Sequence, residues 1–333
     1  MSALRRLAAP LRRRSIQITI GLWILANIIV AAIAAGPFDH PDFGGLSLTG
    51  MLIGADINMV AVLALIALTY RLTRKRAIPD LATRAPQRRV AAREVAGLIG
   101  YGVLVQIVGA LLGAALGWHP IGFHLAGTLY GHQEVTPAEA YTWAGYNFLA
   151  YAVAPYLYFR RRYSAEALGL RSSNRRNDLL VIGAVLLVES LSEFAGLSTA
   201  LFDLSPRQVL LGAPFTFVLY LLGTVLPTMI FIYAILLPRY RKLTGSTFMT
   251  IILAGITYAL VHALDAWTVL TSPTGVVLSV TLLFLQYFGP GMVKAVLTLR
   301  TGNAWVHVWA YHAISPHTII DTPHMVEMLQ IKP

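Results

Sequence analysis

Nine apolar stretches, most of them close to the length that crosses a bilayer, constrain this chain more than any other feature. A hydrocarbon core about 30 Å thick needs roughly 20 predominantly apolar residues per helix. Stretches of that kind fall near Ile16 to Ala35, Leu52 to Tyr70, Val95 to Leu116, Tyr141 to Phe159, Leu179 to Leu197, Val209 to Leu237, Phe248 to Ala263, Val276 to Leu297 and Ala304 to Ser315. The seventh and ninth are short, and Gly289, Pro290 and Gly291 interrupt the eighth, so the expected fold is an all-α integral membrane protein with eight or nine transmembrane helices. Composition agrees: 56% of residues are hydrophobic and 12% charged, whereas soluble domains run near 45–50% and about 25%. That excludes a soluble enzyme, a disordered chain and a fibrous repeat. The start, MSALRRLAAPLRRR before a long apolar run, has the shape of a signal peptide, but a run of this length with eight more behind it predicts a retained first helix.

The formal net charge of +11 is a statement about topology. Basic residues flanking membrane helices stay on the cytoplasmic side. With the N-terminus cytoplasmic, 24 of the 26 Lys and Arg fall in inside segments, the last of them holding Lys294 and Arg300, and only Arg207 and Lys332 fall outside. Basic residues distributed in this way do not form the single patch that nucleic acid requires, so no nucleic-acid partner is expected. The Arg71 to Arg93 gap, with Pro79 and Pro86, reads as a basic cytosolic linker against lipid head groups. His119, His124, His132 and Glu134 share an outside gap at spacings that match no metal motif, and read as a solvated loop. With no cysteine, disulfides and thiolate chemistry are absent. The expected location is the cell membrane, as a multi-pass protein whose partners are the bilayer and a membrane protein or peptide.

Ionisable groups at membrane depth are costly, and each is a functional candidate. They are Asp56, Glu189, Glu193, His262, His307 and His312. Asp56 lies near the outer boundary and reads as structural. Glu189 and Glu193, four apart, share a helix face, as do Tyr258, His262 and Asp265. His307 and His312, five apart, point away from each other on an α-helix, so His307 reads as an interface residue. Gly109, Gly113 and Gly117 form small-xxx-small steps that predict close approach of a neighbouring helix.

Four stretches carry a family resemblance: YSAEALGLRSSNRRNDLLVIGAVL (Tyr163 to Leu186), PTMIFIYAILLPRYRKLTGS (Pro227 to Ser246), ITYALVHAL (Ile256 to Leu264) and GPGMVKAVLTLRTGNAWVHVWAYHAIS (Gly289 to Ser315). Together they resemble the CPBP intramembrane protease superfamily, which includes type II CAAX prenyl endopeptidases and bacteriocin-processing or immunity-type membrane proteins. The resemblance implies a CPBP-like membrane domain over residues 160–320, preceded by a four-helix region over 1–160 with the basic linker at 71–93, and followed by a tail over 321–333. It also implies a site in which a glutamate activates water, assisted by two histidines and an asparagine. The histidines correspond to His262 and His312. The glutamate pair corresponds to Thr228 and Met229, the family arginine to Tyr233 and the asparagine to Pro316. Neither Thr nor Met can act as a general base near neutral pH.

The expected function is therefore that of a catalytically degenerate relative acting by binding or scaffolding in the membrane. Its site candidates are His262, His312 and Glu189. One alternative is an active intramembrane endopeptidase in which Glu189 substitutes as the base, since it falls in the same depth layer. A transporter or channel is the other. No cofactor is expected; a zinc site from His262, Asp265 and His312 is disfavoured because nothing resembling HExxH occurs.

Overall fold

The computed structural model describes residues 14–34, 47–126, 134–196 and 199–333; His132 lies outside them. Among the described residues all regular structure is helical and no strand occurs. The helices run in order as α1 (Arg14–Ala34), α2 (Leu48–Leu72), α3 (Arg88–Leu116), α4 (137–160), α5 (Arg175–Gly196), α6 (Pro206–Thr244), α7 (Thr247–Val261), α8 (Pro273–Thr301) and α9 (305–328). Their starts follow side-chain chemistry. Ser47, Thr136, Ser205, Ser246 and Ser272 each accept a hydrogen bond from a first-turn backbone N–H. Three ends are left-handed glycines, Gly117 (φ 70°), Gly245 (φ 64°) and Gly302 (φ 68°), the geometry that closes a helix where a Cβ would be strained.

By length and apolarity, five helices among the described residues can cross a membrane: Ile16–Ile33 within α1, α2, α3, α6 and α8. That is fewer than eight or nine. The apolar helix α7 has only 15 residues, and α5 carries Asp178, Glu189 and Glu193 within its 22. The outward faces of α2 and α3 are apolar, with Ile57, Val60 and Leu111 each about two-thirds exposed (65%, 67% and 65%). Apolar faces of this extent mark surfaces that meet a membrane or another protein.

Several expectations change. Gly289, Pro290 and Gly291 do not break α8, which is continuous over 29 residues. The glycines serve packing instead. A Cβ on Gly291 would lie 2.8 Å from the Gly255 Cα of α7, and one on Gly289 would lie 3.2 Å from Met59 of α2, so α8 is gripped on two sides. Lys294 is not in a cytoplasmic gap but inside α8, 1% exposed, its ammonium 3.6 Å from the Tyr258 ring centre. The residues read as a tail are helical over Ile320–Met328. Gly109 and Gly113 receive not a neighbouring helix but the chain that follows α3: Cβ atoms there would collide with the backbone carbonyls of Ile121 and His119.

The basic linker is also more than a lipid-facing strap. Arg76 is buried in an ion pair with Asp178 at 2.5 Å and donates to the Thr301 carbonyl oxygen at 2.6 Å. Arg84 donates to the Gly302 carbonyl oxygen at 2.6 Å. The Ala304 N–H donates to the Gly169 carbonyl oxygen at 2.8 Å, so the stretches Tyr163 to Leu186 and Gly289 to Ser315 meet directly and the linker arginines fasten them. Nearby, Arg239 pairs with Glu94 at 2.7 Å, both side chains at least nine-tenths buried. Asp56 is structural as expected, accepting from Trp23 Nε1 at 2.8 Å and so tying α2 to α1.

Candidate functional site

The site begins with the turn after α3. Once Gly117 has reversed the chain, residues 118–126 fold back along α3, with the Trp118 N–H donating to the Gly113 carbonyl oxygen and the Ile121 N–H to that of Gly109. Gly122 then wedges against the far end of α7, where a Cβ would lie 2.5 Å from the Leu264 carbonyl oxygen. Its own carbonyl oxygen accepts from Trp143 Nε1 (3.1 Å) and Asn147 Nδ2 (3.0 Å) of α4. This seat corrects the reading of His124 as a loop residue in solvent: its side chain is only 12% exposed. His119 is partly exposed and paired with Glu139 at 2.8 Å, and Glu134 is exposed.

His124 meets the end of α7. That helix stops at Val261, so His262 sits just beyond it, and a tight turn brings Asp265 back under the imidazole. His262 Nδ1 lies 3.2 Å and His124 Nδ1 3.3 Å from the same carboxylate oxygen, Oδ2 of Asp265. Tyr287 Oη donates to that oxygen at 2.8 Å, and the His124 N–H donates to Oδ1 at 3.3 Å. Tyr287 also stacks on His262, with ring centres 3.9 Å apart and planes at 21°. One ligand atom from each of His124, His262 and Asp265 lies within 4.8 Å of the other two. The third group beside His262 and Asp265 is thus His124 and not His312.

His312 stands across Tyr258, whose hydroxyl is 3.3 Å from His312 Nε2, while the Tyr258 ring packs edge-on against His262 at 4.9 Å. Imidazoles continue from there: His312 is 5.0 Å from His317, His317 is 5.5 Å from His124, and His307 is 6.0 Å from His312. The closeness of His307 and His312 corrects the α-helical face argument. Residues 308–312 are π-helical, with the Ala313 N–H bonded to the Val308 carbonyl oxygen, and i→i+5 winding returns residues five apart to nearly one face.

A cavity of about 350 Å³ opens beside these rings. Its polar lining includes His124, Glu189, Glu193, Lys294, His312 and Asp321. Glu189 faces this cavity, 5% exposed, and interacts electrostatically with Lys294 and Glu193. Among the described residues no hydrogen bond joins Glu189 to His262 or His312. Pro316 lines the cavity, but Thr228 and Met229 do not. Thr228 is fully buried, with its hydroxyl oxygen lacking a hydrogen-bond partner. Tyr233 donates to the Gly291 carbonyl oxygen at 3.0 Å and so serves packing against α8.

Sequence reasoning missed His124, His317, Asp321 and Lys294. The signal for Lys294 was its place inside an apolar run. For His124 it was Gly109 and Gly113, which ask for a close neighbour without naming it. Comparison with protein-family models, with curated proteins and with solved structures found no match.

Proposed function

We propose that this chain is a multi-pass membrane protein of eight or nine spans in the cell membrane, N-terminus cytoplasmic. In this reading it is a degenerate relative of the CPBP intramembrane endopeptidases that binds a membrane-embedded polypeptide segment without cutting it. The observation that carries this reading is the composition of the cavity. Ionisable side chains from α5, α8 and α9 line a space large enough for several residues of extended chain, while Thr228 and Met229, which stand where the family glutamates would, contribute nothing to its wall. The resemblance names the substrate class to try first, a prenylated peptide ending in CAAX.

The test uses purified full-length protein in liposomes with a fluorescent prenylated peptide. Saturable binding with no product is expected, and binding should weaken when Lys294 is replaced by Met. Cleavage abolished by both His262→Ala and Glu189→Gln would overturn this reading in favour of an active endopeptidase with Glu189 as base. Its cavity position with His312 is the observation behind that second reading.

A further inference from the structure

We propose that His124, His262 and Asp265 together bind one divalent first-row transition-metal ion, of the Zn²⁺ class, at the wall of the cavity. In a tetrahedral zinc site with bonds of about 2.0–2.2 Å, neighbouring ligand atoms stand about 3.4 Å apart. The two Nδ1 atoms lie 3.2 and 3.3 Å from Asp265 Oδ2. That matches an edge of such a site. It is longer than the roughly 2.7–2.9 Å of a charge-assisted N–H···O bond; the short bond to this oxygen comes instead from Tyr287 Oη, at 2.8 Å.

Three further observations point the same way. Asp265 is 2% exposed, and its ion-pair partners among the described residues are the two histidines alone. A buried carboxylate needs a compensating cation or strong hydrogen bonds, and an ion between these three groups supplies the charge. Both Nδ1 atoms stand 3.2 Å or more from every hydrogen-bond partner given to them among the described residues, Tyr287 Oη at 3.2 Å from that of His124 included, so neither is tightly held by the protein around it. Finally, an outer layer is in place: Tyr287 Oη on Asp265 Oδ2, the His124 N–H on Oδ1, and the Gly122 seat that fixes the loop. Partners of this kind orient ligands and hold their geometry.

Two imidazoles and a carboxylate select Zn²⁺, Fe²⁺ or Co²⁺ over Mg²⁺ and Ca²⁺, which prefer all-oxygen sites. Three protein ligands leave a coordination position free, and of the three His124 lines the cavity. The site stands apart from the binding reading above: it holds whether or not the chain binds or cuts a peptide.

The probe is Co²⁺ titrated into chelator-treated full-length protein in detergent. Visible d–d absorption saturating at one ion per chain is expected, displaced by Zn²⁺ and not by Mg²⁺. His124→Ala and Asp265→Asn should each weaken binding by on the order of 100-fold or more, judged against the 10- to 100-fold typical of outer-layer partners. His119→Ala should leave it unchanged. No saturable binding, or binding unaffected by both substitutions, would overturn the proposal. Where a variant does not elute as a single folded species, the wild-type protein decides. Its thermal midpoint must rise with Zn²⁺, and X-ray absorption of bound Co²⁺ must show imidazole scattering; no rise, or coordination by oxygen alone, overturns it.

Discussion

A single methyl group separates a seated His124 from a displaced one. Gly122 touches the Leu264 carbonyl closely enough that a Cβ would come within 2.5 Å of it, and backbone on both sides leaves no flexible side chain to yield. Gly122→Ala is expected to cost about 1–3 kcal/mol, the range for overpacking a fitted interior. Thermal unfolding in detergent, followed by circular dichroism, would show a lowered midpoint. Gly145→Ala, inside α4 with nothing within 4 Å, should not lower it and should raise it slightly through helix propensity. Tyr233→Phe should cost about 1 kcal/mol in the same assay, the worth of one buried hydrogen bond, and no more, since the ring remains. At this scale the sequence singles out His262 and His312 as ionisable groups within apolar runs. It hides His124, because its partner Asp265 is 141 residues away and no local period links them.

Individual elements owe their positions to a few buried contacts. Arg76 and Asp178 join the linker to α5 with side chains 3% and 5% exposed, so Arg76→Ala leaves the buried carboxylate with only its neutral donors Ser172 and Asn303 and should cost up to about 3–5 kcal/mol. Arg171 and Glu166 are also within ion-pair distance, at 2.8 Å, but are 68% and 60% exposed. Arg171→Ala should leave stability close to unchanged, since solvent screens an exposed pair. Chemical denaturation of the two variants side by side measures the contrast; equal losses would mean that the linker is not a structural strap. The existence of the helices is legible in apolar runs and capping residues such as Ser205 with Gln208. Their internal form is not. Gly–Pro–Gly reads as a break yet α8 stays helical through it, with close neighbours on two sides of the backbone. The π-helical winding in α9 has no composition signal of its own, and it places His307 beside His312.

For the whole molecule, the alternating placement of basic residues predicts which loops face which side. The chain has no cysteine, so single-cysteine variants need no prior removal of thiols. Cysteines replacing the exposed Lys75 and Arg171 should react with a membrane-impermeant maleimide only when it reaches the cytoplasmic face. Those replacing the exposed Glu134 and Arg207 should react from outside. Labelling of Arg171→Cys and Arg207→Cys from the same side would remove the proposed topology. The way the loop after α3 is held also sets an order of assembly during synthesis. Gly122 finds Trp143 only 21 residues further on, so the loop can be tied to its own half of the protein early. Asp265 emerges 141 residues after His124, and at about 5–20 residues per second the imidazole waits roughly 7–28 s for it. The histidine–aspartate cluster is therefore completed long after the loop's own bonds to α4, and a chain halted before α7 would carry a finished loop with nothing to close on.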